Sequence, residues 1–317
     1  MIHLVVESLN LTKDSPSMSF DDRVNAICNK ININDQPLIL DGTGEGLFSV
    51  NLSIAILKKL KATDAKIILN VDPKNALKEY EVTLDYTSGV CNLYHWYTDL
   101  QVINNNWKNV EINYHFVSLA RRSSINRALY IKDILDFFGD SSLVSFGLDD
   151  VADSTIQSIL KPYQIPLCID VNDPLIDFAQ KPPTDKIFTA MFNIVLETNE
   201  PDYDEIRITE KGLKPFAWHQ IPIFVSGKGY TERMRSLGFD LFDDILDNHS
   251  YNESHPNVYR LKIMSLCKKL YNKYPTNKEL QNLRNQIWDR LDANNKLLAK
   301  YVEKDCSGWN VKLDKKG

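Results

Sequence analysis

Residues 192–247, FNIVLETNEPDYDEIRITEKGLKPFAWHQIPIFVSGKGYTERMRSLGFDLFDDILD, decide how the chain is read. The apolar run 191–196 reads as a strand with Glu197 at its exit. Thr209 reads as a helix N-cap, with Glu210 and Lys211 in the first turn. The run 221–225 reads as a buried strand stopped by Ser226-Gly227, and 230–237 as a helix closed by Gly238 at C′. Loop, helix, strand and Gly-bearing loop together make half of a mononucleotide-binding unit. A helix N-terminus offers N–H groups and a positive dipole end to an anion. Lys211 adds a mobile cation for a phosphate, and Glu210 an acceptor for ribose hydroxyls. Taken alone, Thr-Glu-Lys is also how many surface helices begin. Glu197 reads either as a contact to sugar or ribose, or as a solvated strand end.

Working outward, a second α/β unit begins at Val110, after a boundary at Asn104-Asn105-Asn106-Trp107. A strand over 112–119 leads into Ala120-Arg121-Arg122, a helix follows over 125–138, then a short strand over 143–146. Arg121 or Arg122, at a strand end before a helix, is placed for a diphosphate; a solvated basic turn is the other reading. The pattern predicts a helix over 155–161 stopped by Pro162, and a strand over 165–171 whose Asp170 is a sheet-end ligand or a cap. Two long helices, 256–274 and 277–304, carry periodic Leu, Ile and Tyr; the last is expected to cross back onto the N-terminal domain.

The N-terminal half opens with a strand over 2–6, a helix over 20–30 and a strand over 37–41. There follow the loop Asp41-Gly42-Thr43-Gly44-Glu45-Gly46, an amphipathic helix over 47–61 and a strand over 66–71. Glycines on alternate positions let the backbone approach a ligand, so this is an active-site loop or a plain βα turn. The spacing is Gly-x-Gly-x-Gly, not Gly-x-Gly-x-x-Gly, which argues against a Rossmann dehydrogenase. The aromatic run 93–97 serves either to stack a base or sugar or as core packing.

Composition sets the bounds. The 317 residues suffice for two domains, and 43% hydrophobic with 25% charged residues is ordinary for a soluble globular chain. No window approaches the roughly 18 apolar residues of a membrane span, and Met1-Ile2-His3 lacks a basic leader. Five scattered cysteines without a Cys-x-x-Cys pair suggest neither zinc knuckle nor disulfide framework, and hence a reduced, cytoplasmic setting with no membrane partner. The net charge of −5 gives no global nucleic-acid footprint, though a local basic groove is compatible with it.

One resemblance binds these pieces. The ordered series Glu197-Thr198, Thr209-Glu210-Lys211, Lys214-Pro215, Pro222-Ile223 and Leu237-Gly238-Phe239 resembles the nucleotide-sugar half of a glycosyltransferase group widespread in phages and bacteria. Its Thr-Glu-Lys element is similar to that of the fucosyltransferase donor domain. Phe116 to Arg122, with Arg127 on the next helix, is similar to the same group, although Ala120 stands where Asn is usual. The resemblance covers roughly residues 114–260 and implies an α/β, GT-B-like fold: two Rossmann-type domains facing a central cleft, with long C-terminal helices. The expected division is 1–108 for the acceptor side, 109–270 for the donor and 271–317 for the returning helix and tail. By resemblance Glu210 holds the donor ribose and Lys211 the diphosphate, with Thr209, Lys214, Glu197, Arg121 and Arg122 completing the donor set. The general base is expected from Asp41 or Glu45, with Asp72 behind them. No cofactor is expected beyond a UDP- or GDP-linked sugar, and no metal is required, because cationic side chains can neutralise the diphosphate. The expected acceptor hydroxyl belongs to a hydroxymethylated base in double-stranded phage DNA, reached by base extrusion along an edge such as Lys58, Lys59 and Lys61. A glycan or protein acceptor is the alternative, as is a non-catalytic nucleotide-binding module.

Overall fold

The computed structural model describes residues 2–5, 20–29, 38–42, 50–61, 65–69, 71–72, 81–84, 107–120, 124–147, 154–163, 165, 167, 185–197, 206–246 and 256–313. The protein is α/β. It divides into two compact units: Met1–Gly89 with Asp204–Ile208, and Val90–Tyr203 with Thr209–Gly317.

In the first unit, β1 (Ile2–Val5), β2 (Leu38–Gly42), β3 (Ala65–Leu69) and β5 (Glu81–Leu84) form a parallel sheet in that order. Helices α1 (Phe20–Cys28) and α2 (Val50–Leu60) pack together, burying Val24 and Cys28 on one and Ile56 and Leu57 on the other. The strand expected over 66–71 ends at Leu69. Val71–Asp72 (β4) instead pairs antiparallel with Ile206–Arg207 (β9).

The second unit is built on a parallel sheet of order β10-β8-β6-β7, comprising β6 (Tyr114–Ala120), β7 (Ser142–Phe146), β8 (Ala190–Leu196) and β10 (Ile221–Val225). Every residue of β8 and β10 is buried, as continuous apolar runs in a parallel sheet require. Among the described strands β10 stands at the edge of the sheet, which accommodates Pro222, and the Tyr259 hydroxyl donates to the Phe224 carbonyl (2.9 Å). Helix α3 (Ile125–Phe138) begins at the N-cap Ser124, whose Oγ accepts from Arg127 N (3.2 Å), and buries Ala128, Ile131, Ile134 and Phe138 at helical spacing.

Helix α4 (Ser154–Ile159) follows. The strand expected over 165–171 is, within the described residues, a single antiparallel bridge between Leu167 and Phe146. Helices α5 (Glu210–Ala217) and α6 (Tyr230–Ser236) flank β10 in sequence. α6 closes as the sequence predicts: Gly238 at φ +91 lets Phe239 N reach back to the Met234 carbonyl (3.2 Å). The last three helices are α7 (Pro256–Lys273), α8 (Asn277–Gln286) and α9 (Trp288–Leu313). The sequence predicts one helix over 277–304; a turn at Ile287 divides it. That turn lays the Trp288 ring on His219, centroids 4.8 Å apart and nearly parallel. Residues of α7, α8 and α9 join the same hydrophobic core as β6, β8 and β10.

Candidate functional site

From β6 the chain adds β7 on one side and then returns to add β8 on the other. The switch point of the sheet therefore lies between β6 and β8, and open α/β sheets bind ligands at the carboxyl ends of such a pair. The chain leaves β6 towards α3 and leaves β8 at Glu197 towards α5.

Thr209 is the N-cap of α5, as its sequence predicts. Its backbone is extended (φ −108, ψ 174) and its hydroxyl accepts from Lys211 N (3.3 Å). Glu210 and Lys211 stand at the first turn with their side chains partly exposed, Lys211 Nζ 3.7 Å from Glu210 Oε1. The far end of α5 is fixed as firmly. Asn295 of α9 donates to the carbonyls of Phe216 and Ala217 (3.2 Å each), and Phe216 stacks on Phe239 at 4.2 Å.

Glu197 is the centre of the arrangement. It is only 2% exposed, and its carboxylate accepts hydrogen bonds from Thr209, Gly212 and Tyr230. Oε1 accepts from Thr209 N (3.3 Å), Gly212 N (3.1 Å) and the Tyr230 hydroxyl (2.8 Å), while Oε2 accepts from the Thr209 hydroxyl (2.7 Å). Its backbone is engaged too: Glu197 N donates to the Val225 carbonyl (3.0 Å), and Arg127 donates to the Glu197 carbonyl (2.9 Å). One residue thus links β8 to β10, α3, α5 and the start of α6.

Two expectations are corrected. Glu197 does not end its strand as a solvated carboxylate: it is buried and its oxygens lie on protein donors. Nor are the second and third amides of α5 open to an anion: Lys211 N is taken by the Thr209 hydroxyl, and Gly212 N is shared between Glu197 Oε1 and the Thr209 carbonyl (3.2 Å). The negative charge that a helix N-terminus favours is supplied from within.

Of the sequence-predicted donor set, the fold brings Glu197, Thr209, Glu210 and Lys211 together. Lys214, a turn further along α5, is buried at 6% exposure. Arg121, Arg122 and Glu45 lie outside the described residues; Asp41 is placed by its backbone in β2, where it pairs with Val5 and Ile68. Asp72 pairs with Ile206 in the short antiparallel ladder. Sequence reasoning missed Gly212 and Tyr230. The only local signals for them are a glycine within the first turn of a helix and a tyrosine directly after Gly229.

Among the described residues no three His, Cys, Asp or Glu side chains gather as a metal site, and no helix is long and apolar enough to cross a membrane. Compared with the models of known families, with curated proteins and with solved structures, the chain matches none.

Proposed function

We propose that this chain is a GT-B-like glycosyltransferase that takes a sugar from a nucleoside diphosphate, UDP- or GDP-linked, and transfers it to an acceptor hydroxyl. The observation that carries the reading is the Thr209-Glu210-Lys211 turn, capped and anchored at the carboxyl edge of a parallel sheet beside its switch point, with a carboxylate and an ammonium partly exposed there. Glu210 accepts from the ribose hydroxyls. Lys211, with Arg121 or Arg122, neutralises the diphosphate as it leaves. In the transfer the bond from anomeric carbon to phosphate oxygen breaks, its electron pair stays on the diphosphate, and the acceptor oxygen forms the new bond. Asp41 or Glu45 takes the acceptor's proton. The first acceptor to try is a hydroxymethylated base in double-stranded DNA.

The test is titration of the full chain with UDP, GDP and their glucose conjugates, followed by thermal unfolding and calorimetry. A ligand at about 100 times its dissociation constant stabilises by roughly 2.7 kcal/mol. Stabilisation by at least one diphosphate, lost in Lys211→Ala, is the expected result. Absence of any response to the whole panel removes the reading. Binding without hydrolysis or transfer from any sugar conjugate leaves a nucleotide-binding module in its place.

A further inference from the structure

We infer that Glu197 is a positioning residue: a buried carboxylate that holds the Thr209-Glu210-Lys211 turn in register and fills the helix end an incoming phosphate would otherwise take. The diphosphate is then met by side-chain cations and not by the backbone amides of α5. The inference rests on the nucleotide reading above, whose donor site it refines.

Three observations carry it. The donors to Glu197 from Thr209, Gly212 and Tyr230 come from two separate elements, the α5 turn and the start of α6, so the carboxylate fixes one against the other. A carboxylate is an acceptor only, and converging donors suit its lone pairs. Next, Gly212 is shaped for the device. A Cβ there would meet the Tyr230 hydroxyl oxygen at 1.9 Å and Glu197 Oε1 at 2.8 Å, so a side chain at 212 evicts the tyrosine from the carboxylate. Lastly, the Thr209 hydroxyl donates to Glu197 while accepting from Lys211 N, so the carboxylate orients the cap that orients the lysine's own backbone. A phosphate approaching those amides meets a like charge in a buried setting, where repulsion is strong. A phosphate held by Lys211 at the rim avoids it.

The experiment compares the full-length wild type with Glu197→Gln, Glu197→Ala, Gly212→Ala and Tyr230→Phe. It uses calorimetric titration with UDP and GDP and amide hydrogen exchange at Thr209, Lys211 and Gly212. Glutamine keeps an acceptor where three donors converge, and the Thr209 hydroxyl can turn to accept from the new amide. Glu197→Gln is therefore expected to bind within about threefold of wild type or more tightly. Glu197→Ala and Gly212→Ala are expected to bind at least tenfold more weakly, with exchange at Gly212 accelerated at least tenfold in Glu197→Ala. A purely structural role lowers melting temperature without separating Gln from Ala in affinity, so the separation is the diagnostic readout. Tyr230→Phe, which keeps the ring and loses one donor, covers the case in which the alanine variants do not fold; a two- to fivefold loss is expected. Wild-type affinity in Glu197→Ala or in Tyr230→Phe overturns the inference, as does tighter binding in Glu197→Ala, which would place the phosphate on the vacated amides. If wild type binds neither nucleotide, the glycosyltransferase reading falls separately. Gly212 exchange then decides the anchoring alone, and unchanged protection in Glu197→Ala overturns it.

Discussion

The second sheet carries a buried polar cluster at each end, and the two differ in what surrounds them. At the carboxyl end Glu197 gathers Thr209, Gly212 and Tyr230, and directly above it Glu210 and Lys211 reach solvent. At the amino end Gln220 is fully buried, donating to the carbonyls of Ile187 (2.6 Å) and Ala190 (3.1 Å) and accepting from Asn193 (2.8 Å). Beside it Arg284 donates to the His219 carbonyl (3.1 Å), and Trp288 covers the His219 ring. Here the polar atoms are roofed by α8 and α9. Buried polar networks of this kind rigidify a fold whether or not they bind anything. Both rims carry ionisable side chains: at the amino end Asp292 lies 3.8 Å from the buried His219 and is paired with Lys296 (2.6 Å), while at the carboxyl end Glu210 and Lys211 stand on the turn that the network orients.

The sharpest way to break this contrast is Gln220→Ala. It strands two carbonyls and one amide in a dry interior, at roughly 1–3 kcal/mol each, so a loss of about 3–4 kcal/mol in urea unfolding is expected. Nucleotide affinity below the transition should not change. A large affinity loss would erase the distinction between the two ends.

Acid probes the amino end next. Burial, then the neighbouring Arg284, hold the His219 imidazole down at about 4, against the weaker opposing pull of Asp292. Burial also lowers His115, whose Nε2–H donates to the Tyr274 carbonyl (2.7 Å). Since the folded pKa is depressed, the unfolded chain takes up protons that the folded chain refuses. Stability is therefore full above about pH 6.5 and is lost as pH falls towards 4, by about 3 kcal/mol for His219. His219→Asn, chosen because asparagine tolerates the left-handed backbone at φ +53, should flatten much of that slope in urea midpoints measured at pH 7, 5.5 and 4.

Lys211→Ala tests the carboxyl end from the opposite direction. The ion pair with Glu210 is near the surface, so stability should stay within about 0.5 kcal/mol of wild type. Affinity for UDP or GDP should fall ten- to a hundredfold, about 1.4–2.8 kcal/mol by calorimetry.

The contrast also shows what could be read from the sequence. Elements set by local pattern were legible: the strand at 221–225, the helix at 125–138, the Thr209 cap and the Gly238 stop all match their signals. Glu210 and Lys211 were legible as a pair because a helix start places neighbouring residues together. The bonds onto Glu197 from Thr209, Gly212 and Tyr230 were not, because they span 12 to 33 residues, and a glutamate at a strand end looks the same whether it turns inward or outward. Gln220 and Arg284 were illegible for a similar reason: they donate to backbone carbonyls, which carry no residue signature, and the Asn193 amide that donates to Gln220 lies 27 residues away. The break at Ile287 was hidden because the periodicity of 277–304 runs through it, and only the tertiary stacking of Trp288 on His219 gives the turn a reason.

Two N-caps give the finest comparison, since both are threonines in extended backbone with a hydroxyl on the first turn. Thr276 caps α8 at the surface in a capping box, its Oγ1 accepting from Glu279 N (3.3 Å) while the Glu279 side chain accepts from Thr276 N (3.0 Å). Thr209 caps α5 in the interior and donates to the buried Glu197 carboxylate of another element, whereas the Thr276 hydroxyl donates to the exposed Glu279 of its own capping box (2.8 Å). Thr209→Ala removes a cap and strands part of a buried acceptor, so about 2 kcal/mol of stability and a several-fold drop in nucleotide affinity are expected together. Thr276→Ala removes only a solvated cap, whose loss water partly offsets. About 1 kcal/mol in urea unfolding with unchanged affinity is expected. If the two variants instead lose the same stability and neither alters binding, the interior cap is no more than a helix end, and the orientation of Lys211 must be sought elsewhere.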